Sequence, residues 1–167
     1  NSNVVSLASY SFGQTFTVTP LALIRAQAAC INGGYLYTPY VVDQVLDDEG
    51  NIIAQHEVTP VRQVISEETS AIVRQCLEYV VASGTGKNGQ VVGYRIGGKT
   101  GTADKTGTGD VVVSFMCFAP ADDPQYIMLL TMDTPSRNTG VYVSGGNMVA
   151  PTASQTMSEI LPHLGIE

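Results

Sequence analysis

The chain has 167 residues, 44% hydrophobic and 14% charged, a balance that supports one folded domain, or part of one, and excludes a disordered tail. Fifteen acidic residues against eight basic ones leave a formal charge of −7, and no Lys/Arg run could track a phosphate backbone, so nucleic acid is excluded as a partner. No stretch approaches the ~18 consecutive apolar residues of a membrane span, and the first ten residues lack a signal-peptide pattern, so membrane contact is expected only through an upstream anchor.

Thr19 and Pro20 introduce an Ala/Leu-rich helix through Ile31, with Thr19 as N-cap and Pro20 in the first turn, stopped by Asn32-Gly33-Gly34. Val41 to Leu46 and Ile52 to Ala54 are β-prone runs around the acidic turn Asp47-Asp48-Glu49-Gly50-Asn51, a predicted hairpin. The turn lacks the alternating ligands and terminal Glu of an EF-hand, so it is expected to be solvated rather than calcium-binding. Ser66 caps a second helix whose apolar face is Ile72, Val73, Cys76, Leu77 and Val80, ending at the loop Ser83-Gly84-Thr85-Gly86-Lys87-Asn88-Gly89. A strand is predicted around Gly98 to Ala103, followed by the glycine-rich stretch Lys105 to Asp110. Val111 to Ala119 and Gln125 to Asp133 read as an antiparallel pair. After a loop from Asn138 to Asn147, a helix is predicted from about Ala150 to Leu164, with Pro162 ending or kinking its last turn. The order implies an α+β fold, an antiparallel sheet with packed helices.

Cys30, Cys76 and Cys117 are odd in number and widely spaced, which fits buried small hydrophobes better than disulfides. His56 and His163 fall in no zinc-ligand pattern, so neither a metal nor another cofactor is expected.

Gly93 to Thr100 satisfies the literal G-x-x-x-x-G-K-T of a P-loop. That motif works only where a helix starts at its Lys-Thr, presenting free N–H groups to phosphate. Here Gly101, Gly107 and Gly109 follow closely, each costing a helix about 1 kcal/mol, so a nucleotide site is disfavoured. Lys99-Thr100-Gly101 reads better as the K-T-G strand of an acyl-transfer site. On a strand Lys99 and Gly101 share a face, placing a cation beside a gap where an acyl donor would lie. Thr100 is expected to point away and Thr102 to return to the substrate face, with the Thr102 N–H free for an oxyanion. Lys99 and Thr102 are thus the candidate catalytic residues, and Lys99, Thr100, Gly101 and Thr102 the substrate-binding set.

Class B penicillin-binding proteins resemble this chain at Ser11-Phe12-Gly13-Gln14, Val18-Thr19-Pro20-Leu21, and Ala29 through Asn32-Gly33-Gly34. The resemblance continues at Val80-Val81 with Gly84-Thr85-Gly86, Gly98 through Ala103, Phe118-Ala119-Pro120 with Pro124, and Gly145-Gly146 leading to Ala150-Pro151. These segments span essentially the whole chain in the family's order. The resemblance implies residues 1–167 of a D,D-transpeptidase domain, its C-terminal part, in the penicillin-binding protein/serine β-lactamase-like fold. It implies peptidoglycan stem peptides and β-lactams as ligands and the extracytoplasmic face of the bacterial membrane as location. In that family Lys99 supports proton traffic and carboxylate recognition, Thr100 and Thr102 offer hydroxyls to the carboxylate, and the Thr102 N–H is half of the oxyanion hole.

The family's nucleophile lies in S-x-x-K, yet no serine here is followed by Lys at the third position. No helper S-x-N precedes the box either: Ser2-Asn3-Val4 and Ser9-Tyr10-Ser11 both fail. The chain is therefore expected to begin just past that motif, to resist acylation alone, and to self-associate through uncovered apolar faces. A β-lactam sensor, a β-lactamase-like relative and a non-catalytic module are the competing readings. Ser11-Phe12-Gly13-Gln14 and the Gly-Thr-Gly loop resemble the biosynthetic class B proteins more closely.

Overall fold

The computed structural model describes residues 3–14, 16–105 and 107–166. Thr106, within the predicted glycine-rich stretch, lies outside them.

A three-stranded antiparallel sheet organises the chain: β5 (Gly97–Asp104), β6 (Val111–Ala119) and β7 (Tyr126–Asp133), in the order β5-β6-β7. The apolar run of β6, broken only by Ser114, follows from its central place, because a strand covered on both faces has no polar side to alternate with. Val113, Phe115 and Cys117 face one layer with Val149, Ala153, Met157 and Leu161, whereas Met116 and Phe118 face the other with Ile31, Val73 and Leu77. The first layer is α4 (Ala150–His163), and the second is α2 (Pro20–Ile31) with α3 (Glu67–Ser83). The α+β expectation therefore holds, with helices on both faces of the sheet.

Both predicted caps form. The Thr19 hydroxyl accepts the Ala22 N–H at 3.2 Å, and the Ser66 hydroxyl accepts that of Thr69 at 3.1 Å, with Glu67 and Glu68 favourably placed in the first turn of α3. The α2 terminus is tied to α3, which satisfies carbonyls a helix end leaves open. Buried Ser70 donates to the Cys30 carbonyl at 2.9 Å and accepts the Gly33 N–H at 3.0 Å, while Arg74 donates to the Ile31 carbonyl at 2.9 Å. Gly34, at φ 93°, lies against the Ile65 carbonyl, where a side chain would be both strained and obstructed.

The hairpin forms as β2 (Gln44–Leu46) and β3 (Ile52–Gln55). Its turn is closed by Asp47, which accepts the N–H groups of Glu49 and Asn51 and the Asn51 side-chain amide at 2.8–3.0 Å. Those bonds, the Asn51 amide foremost, hold the Asp47 carboxyl below its ordinary pKa. The turn's own donors thus occupy the acid that a cation would require.

Further elements were not expected. Helix α1 (Val4–Ser11), capped by the Asn3 side chain, buries none of its residues, so its eight positions carry no clear core face. A short pair, β1 (Tyr35–Leu36) with β4 (Arg62–Gln63), closes the base of the hairpin segment. The end of the predicted loop is a π-helical turn, Gly145–Val149, running directly into α4. Pro162 lies inside the last turn of α4, which ends one residue later.

Candidate active site

β5 borders β6 on one side and no other strand among the described residues, so half of its backbone groups point off the sheet. Register determines which half. Gly101 lies opposite Ser114, and a Cβ added to Gly145 would collide with the Ser114 carbonyl oxygen while lying 2.6 Å from that of Gly101. One point close to both oxygens requires them to face each other, as in a hydrogen-bonded pair. Gly101 and Lys99 therefore spend their backbone groups on β6, and the N–H and C=O of Thr100 and Thr102 point to the open edge.

The same register corrects one expectation. Thr100 and Thr102 lie opposite Phe115 and Val113 and share the α4 face, while Lys99 and Gly101 lie opposite Met116 and Ser114 on the other. A strand repeats every two residues, so Thr102 cannot face with Lys99, and the two threonines act as a pair. The gap at Gly101 is also shared: a Cβ there would meet the Ser114 hydroxyl, so glycine is required by the neighbouring strand.

Each side chain of the box has a defined partner. Exposed Lys99 donates from Nζ to the Thr100 carbonyl at 2.8 Å, wrapping its cation onto the open edge. The Thr100 and Thr102 hydroxyls have separate anchors. Thr100 Oγ1 lies 3.1 Å from Thr85 Oγ1, and Thr102 Oγ1 accepts the Gly145 N–H at 3.3 Å. Asn88 closes the third side, donating to the Gly146 carbonyl at 2.9 Å. Thr85, Asn88 and Gly145 were given no part in the site by the sequence, although Gly84-Thr85-Gly86 and Gly145-Gly146 are among the segments that carry the resemblance; their recurring glycines mark where backbones must approach closely.

The strand β5 through Lys99 and Thr100 rules out the P-loop, since no helix N-terminus exists there to receive phosphate. A cavity of about 240 Å³ lined by Glu78, Gln90, Tyr94 and Arg95 lies beneath the segment leading into β5 and touches none of residues 99–102. The literal S-x-N of Ser136-Arg137-Asn138, passed over in the sequence, follows the box and lies in the turn after β7, where Ser136 accepts the Asn138 N–H at 3.2 Å.

The family model described as "Penicillin binding protein transpeptidase domain" matches residues 1–158. The chain belongs to that family. Among relatives of this penicillin-binding protein domain, the Stage V sporulation protein D of Bacillus subtilis is 43% identical over 98% of this chain and 26% of its own length. The Probable peptidoglycan D,D-transpeptidase FtsI of Caulobacter vibrioides is 32% identical over 97% of this chain and 29% of its own. The chain thus spans between a quarter and a third of the length of these relatives. Among solved structures, the transpeptidase domain of Burkholderia pseudomallei penicillin-binding protein 3 superposes with a TM-score of 0.80 at 30% identity, over 99% of this chain and 48% of that one. The D,D-transpeptidase domain from Eggerthella lenta gives 0.74 at 28% identity, over 89% and 33%.

Proposed function

We propose that this chain forms the Lys-Thr-Gly wall of a serine acyl-transfer site in a peptidoglycan D,D-transpeptidase, in which residues 1–167 make up the C-terminal part of the domain. A serine outside these residues attacks the carbonyl of the penultimate D-Ala of a stem peptide. The terminal D-Ala leaves, and the acyl group passes to an amine of a neighbouring peptide; a β-lactam takes the donor's place and stays attached. The observation that carries the reading is the open edge of β5, toward which the Thr102 N–H points. That N–H serves as an oxyanion donor, and removing one such donor costs about 3–4 kcal/mol of transition-state stabilisation. Lys99 supports proton traffic at the serine and attracts the substrate carboxylate. The Thr100 and Thr102 hydroxyls bind that carboxylate, and Gly101 keeps the strand flat against its neighbour.

An extracytoplasmic location and an anchor upstream belong to the same reading, because the substrate lies outside the membrane. Intact-mass analysis after incubation with a penicillin tests it. The expected result is an adduct on the longer protein that carries this sequence and none on the 167-residue chain. An adduct on neither refutes the transpeptidase reading, one on the short chain refutes the missing-serine account, and rapid loss of the adduct turns the assignment to a β-lactamase-like relative.

A further inference from the structure

The loop after α3 is held far more firmly than a connector needs. The N–H groups of Gly84 and Gly86 both reach the Val80 carbonyl, at 3.0 and 3.1 Å, and the Gln90 side chain donates to the Val81 and Ala82 carbonyls at 3.1 and 3.0 Å. Gly146 has no side chain where a Cβ would strike the Thr85 carbonyl oxygen and lie 3.5 Å from Thr100 Cγ2. Asn88 then locks the two loops by its bond to the Gly146 carbonyl. All of these restraints fix one exposed group, the Thr85 hydroxyl, against that of Thr100.

We propose that Thr85 is a positioning residue: it donates its proton to Thr100 Oγ1 and so leaves the Thr100 proton aimed at the substrate carboxylate along the open edge of β5. A threonine hydroxyl has one proton and two lone pairs, so Thr100 cannot give its proton to Thr85 and to a ligand at once. With Thr85 as donor, a directed chain results, Thr85 O–H to Thr100 O–H to carboxylate, in which each bond polarises the next. The restraints on residues 84–90 keep Thr85 in place before any ligand arrives, so ligand binding does not have to order the loop. This inference rests on the transpeptidase reading above.

The test compares Thr85→Val, which keeps the shape and loses the donor, with Thr85→Ser, which keeps it. In the longer protein, the second-order rate of acylation by benzylpenicillin should fall about threefold to tenfold in Thr85→Val, the range expected for one neutral hydrogen bond, and recover in Thr85→Ser. Benzylpenicillin methyl ester, which has no carboxylate to receive the Thr100 proton, should react equally with all three. In the 167-residue chain, three-bond couplings to the Thr100 methyl should report one χ1 rotamer in the native sequence and a mixture in Thr85→Val. A native acylation rate in Thr85→Val, or an equal loss for acid and ester, overturns the proposal. If the native longer protein forms no adduct, the transpeptidase reading fails, and an unchanged Thr100 rotamer in Thr85→Val then overturns the positioning role independently.

Discussion

Replacing Phe115 by Ala should remove the keystone between the sheet and the glycine loop. The ring is fully buried in the middle of β6, and a Cβ placed on Gly86, Gly89 or Gly98 would stand 3.2, 2.5 or 2.8 Å from it. Three backbones have therefore closed onto one aromatic side chain and cannot easily collapse into the space it leaves. Losing a buried Phe costs about 3–5 kcal/mol, against a total domain stability of about 5–15 kcal/mol. At ~2–4 °C per kcal/mol for a chain of this size, the melting temperature should fall by about 6–20 °C. Gly89→Ala alone should also destabilise, by about 1–3 kcal/mol, because its new methyl runs into the ring. In the Phe115→Ala background the same methyl enters the vacated space, so the double mutant should be more stable than the sum of the two changes by about 1–3 kcal/mol. Urea unfolding of the four proteins, followed by circular dichroism, measures the cycle. Additivity within ~0.5 kcal/mol would refute the packing argument.

Arg95 pairs with Glu78 on α3 at 2.7 Å and with Asp122 in the β6–β7 turn at 2.8 Å, but its side chain is 57% exposed, so Arg95→Ala should lower the urea midpoint only slightly and less still in high salt. Hydrogen bonding and then charge from Arg95 hold Glu78 below its ordinary carboxyl value; its contribution is therefore present above about pH 4.5 and lost as pH falls through the lowered value, an acid-side loss that should flatten in Arg95→Ala. Burial pushes the Cys117 thiol up to about 12, so a thiol reagent at pH 8 should modify exposed Cys76 at once and Cys117 only after unfolding. Because the unfolded thiol ionises from about 9 while the folded one does not, stability should also decline between those values; reaction of all three cysteines at one rate in the folded chain would contradict this. Val4, Val5, Leu7 and Phe12 are 65–84% exposed, and sedimentation velocity should show concentration-dependent association of the 167-residue chain, whereas a monomer over the whole range would count against it.

The elements legible in the sequence were those whose signals are local. Thr19-Pro20 and Ser66-Glu67-Glu68 bring their own capping groups, and the Asp47–Asn51 turn satisfies its own donors, so each was placed within about a residue. Helix α1 escaped because its stability draws on no buried face that a periodicity could reveal. The π-turn at Gly145–Val149 escaped because its five residues follow the shape of the surface they pack on, the Gly101–Ser114 ladder and the Thr85 carbonyl. Thr100 and Thr102 share a face, against the expectation that Thr100 points away, because a strand repeats every two residues, and the register with β6 puts both opposite the buried Phe115 and Val113.

Chemistry at the box divides along the same line. The K-T-G pattern pointed to Lys99, Thr100, Gly101 and Thr102, a weak signal in three residues that the family-like segments around it made strong, and the glycines after Thr100 argued against a helix there. A free Thr102 N–H was expected from the box, but the reason it is free lies outside the box. Which backbone N–H groups leave the sheet depends on whether Gly101 or its neighbours pair with β6, and the approach of Gly145 to the Gly101 and Ser114 carbonyls shows that Gly101 does. Which hydroxyl holds which depends on Thr85, fifteen positions before Thr100, and on Gly145, forty-three after Thr102. Hydrogen-bond direction is a property of groups brought together from distant parts of the chain, and only the folded sheet brings these together.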